Sequence, residues 1–353
     1  MKKFSKSLGD IAAIKQSFAA DNDHMFSNAI KINSSYASQP LRGICKTCGA
    51  PLSSDSPDFT SHGIDYVICA KCGHLNGIYD DTENFCNHLY VDEGGSNYSR
   101  NYLNDYSARV KNIYLPKVDF LCSSLMEQKQ TSCENISISD FGCGGGHFVH
   151  AANQRGIKAQ GFDVSEGLIE LASEAFQDVY GSNCPCPFTI VHNEVQLLEK
   201  MTSCDTTVAS FIGVLEHLRR PLDFFEAFKS SQCKYLFFSV PLFSLSCLIE
   251  NVFPNIFPRQ LSGGHTHLYS HSSIKYILEK YEFRQISSWH FGADAMDLRR
   301  SMLVSMIKSG CSERLLNTFQ NDLFSAQMLD EIQCVIDTNL AASEIHMLIE
   351  KDH

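Results

Sequence analysis

The sequence predicts an α/β protein: a mostly parallel sheet covered by helices on both faces, preceded by a small cysteine-stapled module and carrying a helical insertion before its last strand. Three observations predict it. From Ile136 onward short apolar runs alternate with amphipathic stretches, two pairs of cysteines punctuate the segment from Leu41 to Asp80, and a glycine-dense turn joins the first strand to a helix. The 353 residues allow about two domains and an appendage. With 44% hydrophobic and 20% charged residues the chain has an ordinary globular composition.

Charge and cysteine usage exclude several functions. The net charge of −11 gives no field that would gather phosphate backbones, so no nucleic-acid partner is expected. The longest apolar run, Tyr235 to Phe243, is broken by Ser239 and Pro241. It falls far short of the roughly 20 residues of a membrane-spanning helix. The first residues carry Lys2, Lys3, Lys6 and Asp10 and lack an apolar core, so no secretory signal is read there and a cytoplasmic location is expected. Fifteen cysteines in a reducing compartment read as metal ligands and buried thiols, without disulfides.

Taken in order, residues 1–40 read as a helix with Phe4, Leu8, Ile11 and Phe18 near helical spacing, followed by a polar tether through Asn33, Ser34, Ser35, Ser38 and Gln39. Residues 41–80 contain Cys45-x2-Cys48 and Cys69-x2-Cys72, each pair followed by glycine. Paired thiolates at this spacing, closed by glycines that tolerate a left-handed backbone, predict a four-cysteine Zn²⁺ ribbon. With no ligand position left open, the Zn²⁺ is expected to be structural. Residues 81–130 read as a helical connector with Tyr98, Tyr102 and Tyr106 on one stripe.

Residues 131–353 form the main domain. Its expected strands are Ile136 to Phe141, Lys158 to Asp163, Phe188 to His192, Thr206 to Phe211, Tyr235 to Val240 and Phe283 to His290, with helices beginning near His147, Glu166, Leu222 and Ser272. Residues 294–340 read as a helical insertion, and Glu344 to Glu350 as a returning strand. The stretch from Leu242 to Gly264, rich in Phe and Leu, is long for a connection and reads either as a lid over the acceptor or as a packed surface loop.

The glycine turn carries the functional reading. Gly142 and Gly144 let a ligand approach the backbone, and Gly146 lets the helix start tight against the sheet. Asp163 ends the second strand, where a carboxylate can accept both hydroxyls of a ribose. A dinucleotide fingerprint counted from Gly142 requires glycine where His147 stands, and Asp140 just before the turn would repel a pyrophosphate. Asp140 instead suits a cationic nucleoside. An NAD-dependent oxidoreductase and a noncatalytic zinc adaptor with a degenerate cofactor fold are the competing readings.

Asp140-x-Gly142-x-Gly144-x-Gly146, with Asp163 after it, resembles motif I and the next acidic motif of class I S-adenosylmethionine-dependent methyltransferases. The segments Leu215-Glu216-His217-Leu218 with Pro221, and His265-Thr266-His267-Leu268-Tyr269-Ser270, resemble further motifs of the small-molecule members. The cysteine pairs ahead of a Tyr-rich connector are similar to the zinc-ribbon subset that includes deoxysugar C-methyltransferases. The resemblance implies a Rossmann-like class I methyltransferase sheet with an antiparallel last strand, S-adenosylmethionine as cofactor, and a small-molecule acceptor. It also implies that Asn193, after the third strand, contacts adenine and that Glu216 with His217 serves the reaction. Phe211, at the end of the fourth strand, is a further cofactor-binding candidate. Two departures are visible. The chain ends after the cofactor domain, and Gly213 stands where quinone-type O-methyltransferases carry glutamate.

Methyl transfer requires alignment of the two reactants, and for a hydroxyl or activated C–H it also requires a base. His217 is the expected base, because histidine titrates nearest neutral pH. Glu216, His267 and Tyr269 complete the catalytic candidates. His265, His267 and His271 form a less expected metal trio.

Overall fold

The computed structural model describes residues 1–8, 17–53, 56–89, 105–262 and 264–351. Among the described residues twelve strands occur in chain order: β1 Lys2–Phe4, β2 Phe59–Ser61, β3 Ile64–Ile68, β4 Leu75–Gly77, β5 Ser137–Phe141, β6 Lys158–Asp163, β7 Phe188–Ile190, β8 Val208–Ile212, β9 Tyr235–Pro241, β10 His267–Leu268, β11 Phe283–Phe291 and β12 Glu344–Lys351. Eight of them form one sheet in the order β1-β11-β12-β9-β8-β5-β6-β7. Strands β7, β6, β5, β8 and β9 are parallel, while β12 runs antiparallel between β9 and β11. The order reverses between β5 and β8, and open sheets bind ligands outside the carboxyl ends of such a switch.

The local sequence explains this layering. Strand β9 is buried along its whole length, as its unbroken apolar run requires under helices on both faces. Successive side chains on a strand point to opposite faces, so Phe237 and Phe238 enter different cores. One core holds Phe141, Phe211, Phe224 and Phe238; the other holds Ile138, Phe148, Phe237 and Trp289. The helix Glu166–Tyr180 buries Leu171, Ala172 and Phe176 on one side. The expected insertion forms helices Asp294–Lys308, Glu313–Thr318 and Ala326–Thr338.

Several expectations need correction. The polar run read as a tether lies mostly within or at the end of the helix Asn22–Ala37. That helix buries Tyr36, whose hydroxyl donates to the Tyr79 carbonyl at 2.5 Å. Lys2–Phe4 is not helical but pairs in parallel with β11 at the sheet edge. Ile11, Tyr98 and Tyr102 lie outside the described residues, as does the Phe18 side chain.

Of the two readings of Leu242 to Gly264, the described residues follow the packed one. The helix Leu245–Val252 is anchored by Ser246, whose hydroxyl oxygen lies 2.8 Å from a carboxylate oxygen of each of Asp294 and Asp297 and donates its one proton between them. Glu250 accepts the amides of Arg259, Gln260 and Leu261. Buried charge-assisted hydrogen bonds of this kind rigidify the segment they join.

The expectation of no disulfides is also corrected, since Cys122 is joined to Cys133. The helix Leu115–Lys129 ends in a left-handed Gln130, and the chain turns back so that the two Cα atoms stand 5.5 Å apart.

The ribbon is not a self-contained knob. Strands β2, β3 and β4 form a meander whose outer edge is completed by β10 from the main domain, with His267 opposite Asn76 and Leu268 opposite Leu75. Tyr36, Tyr66, Cys247, Leu261 and Leu268 share its apolar core.

Candidate active site

A cleft of about 290 Å³ opens at the carboxyl ends of β5, β6 and β8. Asp140, Gly142, Gly144, Asp163, Asn193 and His217 line it. Six expected site residues from different segments are thus brought together at the point where the strand order reverses.

Gly142, Gly144 and Gly146 have φ of 71°, 52° and 74°. These are left-handed conformations, which cost a residue with a Cβ about 1 kcal/mol or more. Around Gly144 a Cβ would meet nothing within 4 Å, so this part of the turn faces open space. At Gly146 it would lie 2.5 Å from Phe188, so this glycine serves the fit of helix to sheet and does not line the cleft.

Two carboxylates bracket the turn. Asp140 is buried and accepts the Ser210 hydroxyl at 2.6 Å. Burial raises its pKa to about 7, against the pull of the Ser210 bond. Asp163 accepts the Gly144 amide on Oδ2 at 2.8 Å and the Ser165 amide on Oδ1 at 2.9 Å. Each oxygen retains a second lone pair, enough to accept from a ligand hydroxyl.

The opposite wall was not predicted. Cys86 and Asn87 reach the cleft from the helix Glu83–Asn87, and Tyr114 and His147 from the connector and the helix His147–Gln154. His147 stacks on Tyr106 and Tyr114 with centroids 4.2 and 5.2 Å away, and Tyr106 donates to the Gly145 carbonyl at 2.9 Å. Burial lowers His147 to about 3, with Arg109 acting in the same sense, so it is a neutral stacking ring. The four-residue spacing of the tyrosine stripe was the available signal for Tyr106; nothing local marked Cys86 or Asn87.

At the carboxyl end of β8 the chain turns, and the His217 amide donates to the Val214 carbonyl at 2.8 Å. His217 Nδ1 lies 2.9 Å from the Gly264 carbonyl. A carbonyl only accepts, so Nδ1 carries the proton and Nε2 a lone pair. Burial lowers His217 to about 3, reinforced by His265. Glu216 Oε1 stands 3.9 Å from His217 Nε2, and Oε2 is buried without a hydrogen-bond partner. Burial raises Glu216 to about 8.

Other expected site residues lie elsewhere. His267 Nδ1 is 2.8 Å from His74 Nε2 in the ribbon sheet, and Tyr269 is buried with its hydroxyl 3.5 Å from the Leu215 carbonyl; neither lines the cleft. Phe211 stacks on Phe141 in the core instead of facing a ligand. The His265, His267 and His271 trio does not assemble, because His271 turns to the Leu340 carbonyl. His265 instead joins Glu216 and His217, their ligand-type atoms lying within 4.8 Å of one another.

Cys45, Cys48, Cys69 and Cys72 converge to the same limit, with Sγ–Sγ distances of 3.6 Å for Cys45 and Cys72 and 3.4 Å for Cys48 and Cys69. A tetrahedron of sulfurs at the usual Zn–S length has edges of about 3.8 Å, so the four thiols fit a Zn²⁺ ion after small adjustments. Asn76 Nδ2 donates to Cys45 Sγ at 3.6 Å, the kind of outer contact that steadies a thiolate.

Five parallel strands plus an inserted antiparallel β12, a glycine turn after β5, and a carboxylate ending β6 define a Rossmann-like methyltransferase. Residues 114–288 match a family model described as a methyltransferase domain, and the chain is a class I S-adenosylmethionine-dependent methyltransferase. Among solved structures it is similar to magnesium protoporphyrin IX methyltransferase from Synechocystis PCC 6803 with bound SAH, at 16% identity over 58% of this chain and 90% of that one, with a TM-score of 0.44. The plantazolicin methyltransferase BpumL in complex with SAH matches at 14% identity over 76% of this chain and 94% of its own, also with a TM-score of 0.44. A SAM-dependent methyltransferase from Archaeoglobus fulgidus matches at 16% identity over 66% of this chain and 94% of its own, with a TM-score of 0.39. No curated protein matches the chain. Among the described residues no helix is long and apolar enough to cross a membrane.

Proposed function

We propose that the protein methylates a small polar acceptor, such as a sugar or another biosynthetic intermediate, with His217 assisting deprotonation. The observation that carries this reading is the cleft itself, where the turn from Gly142 to Gly144, both bracketing carboxylates and His217 line one space.

S-adenosylmethionine, when bound, supplies an electrophilic methyl whose S–CH3 bond breaks with its electron pair returning to sulfur, while the acceptor atom forms the new bond. The chain supplies everything else. Asp140 presents a buried carboxylate suited to a cationic ligand, and Asp163 offers lone pairs to ribose hydroxyls. Asn193, also on the lining, contacts the base. Burial leaves His217 a weak base, and ionisation of Glu216 3.9 Å away raises its proton affinity so that it takes the acceptor's proton and the imidazolium is steadied. The four cysteines hold one structural Zn²⁺.

Calorimetry with S-adenosylmethionine, S-adenosylhomocysteine and NAD, followed by a screen of nucleotide sugars as acceptors, tests the reading. Binding of NAD alone would overturn it. His217→Ala is expected to lower turnover by about 10²-fold or more while leaving S-adenosylhomocysteine affinity within about threefold; undiminished turnover removes His217 from the reaction.

A further inference from the structure

One cation crosses from the first cysteine knuckle to the catalytic turn. Lys46, between Cys45 and Cys48, has a side chain only 3% exposed. Its Nζ donates to the Leu218 carbonyl at 2.8 Å, directly after His217, and is ion-paired with Asp81. The Lys46 amide donates to Asn76 Oδ1 at 3.1 Å, so this residue is fixed by backbone and side chain together.

Asp81 is the hub of the arrangement. It accepts from Arg42 Nη2 at 2.8 Å and from the Thr266 hydroxyl at 3.2 Å, while its backbone carbonyl accepts from Arg219 Nε at 3.2 Å. Thr266 sits two residues after Gly264, whose carbonyl orients His217. Both polypeptide stretches that flank the His217 ring, 214–219 and 264–266, are therefore tied to one buried aspartate, and Lys46 contacts that aspartate and the catalytic turn at once.

Charged hydrogen bonds are stronger than neutral ones and are shielded from competing water when buried. The ammonium offers three donors, of which two are accounted for by Leu218 and Asp81. Deleting it leaves a buried carbonyl without this donor and Asp81 with one cation fewer, and both losses fall on the segment that carries His217 to the cleft.

We infer that Lys46 is a positioning residue for His217: the ribbon's first knuckle fixes the direction of the catalytic imidazole through the Lys46 contacts to Leu218 and Asp81. The assignment rests on the proposed role of His217 for its effect on turnover, but the geometry can be tested without turnover. It also gives the ribbon a task beyond its own fold, and it explains why a loop far away in sequence is pinned at the cleft.

The test uses the full, zinc-loaded chain carrying Lys46→Met, which keeps the stem and removes the charge, with Lys46→Arg as the rescue. Amide hydrogen exchange, read by mass spectrometry with S-adenosylhomocysteine present, is expected to quicken about tenfold over 214–219 in Lys46→Met and to stay unchanged over 142–146. Lys46→Arg is expected to restore most of the protection. The His217 ring, faced by Glu216, His265 and Lys46, is expected to titrate at higher pH in Lys46→Met, as followed by imidazole NMR. Zinc content and S-adenosylhomocysteine affinity are expected to remain at parent values. Should Lys46→Met fail to hold zinc, Lys46→Gln, which keeps a neutral donor for Asp81, is measured the same way. Parent-like protection over 214–219 in the variant that retains zinc overturns the inference. Absent S-adenosylhomocysteine binding in the unmodified protein would instead count against the proposed function.

Discussion

Asp163 Oδ2 accepts the backbone amide of Gly144 at 2.8 Å, so the carboxylate that ends β6 shapes the turn that follows its neighbour β5. One side chain therefore both supports the turn and faces the space where a ribose would lie. Asp163→Ala strips a partner from the Gly144 amide and from the Ser165 amide. The cost is about 1–3 kcal/mol for each buried group left unsatisfied. S-adenosylhomocysteine affinity is expected to fall about 10- to 100-fold in calorimetry, and an unchanged affinity would show that the turn holds its shape unaided.

The buried carboxyl of Asp140 makes stability depend on pH. Its pKa is raised from 3.8 to about 7. The native state therefore binds more protons than the unfolded chain between these values. Its contribution to stability is fully present below about pH 4 and is lost as pH rises through about 7. Asp140→Asn is expected to flatten the slope of denaturation midpoints across this window. A cationic ligand favours the ionised carboxylate, so binding should tighten as pH rises through 7 and release a proton, visible as buffer-dependent binding heats.

Gly146→Ala tests packing separately from ligand contact. The added Cβ would meet Phe188 at 2.5 Å and Ala172 at 2.8 Å, on a backbone with φ of 74°. A loss of about 2 kcal/mol is expected. For a protein of this size that lowers the melting temperature by roughly 2–4 °C. A melting temperature equal to the parent's would mean that the helix can shift away from β7 without penalty.

Metal removal should reach beyond the ribbon. Elemental analysis is expected to find one zinc per chain, and a chelator or Cys69→Ser should lower the melting temperature by roughly 5–10 °C. Because β10 pairs with β4, exchange protection is expected to fall at His267 and Leu268 as well as within β2, β3 and β4. Full protection of β10 in the metal-free chain would mean that the main domain holds this strand by itself.

Much of the architecture was legible because it rests on local periodicity. Lys158–Asp163 appears as expected, and the helices beginning at His147 and Glu166 start at the anticipated residues. The cysteine quartet converges because two short knuckles fix their own geometry. His267 and Tyr269 were misplaced because the two-residue strand β10 is too short to carry a periodic signal, and its pairing with β4 is a contact across about 190 residues. Phe211 has its place set by strand parity, which alternation alone leaves undetermined until one neighbour, here Phe141, is fixed.

The sequence by itself determined the alternating sheet, the glycine turn with its two flanking aspartates, and the four thiols, because each is written in residues close together along the chain. Tertiary structure alone decided that β1 joins the sheet edge, that Cys122 meets Cys133, that Cys86 and Asn87 wall the cleft, and that Lys46 touches Leu218. Those meetings depend on how whole elements pack to bury apolar surface and pair buried charges. Apart from Cys122 and Cys133, which are 11 residues apart and meet only because the chain turns back after Gln130, these partners lie far from each other along the sequence.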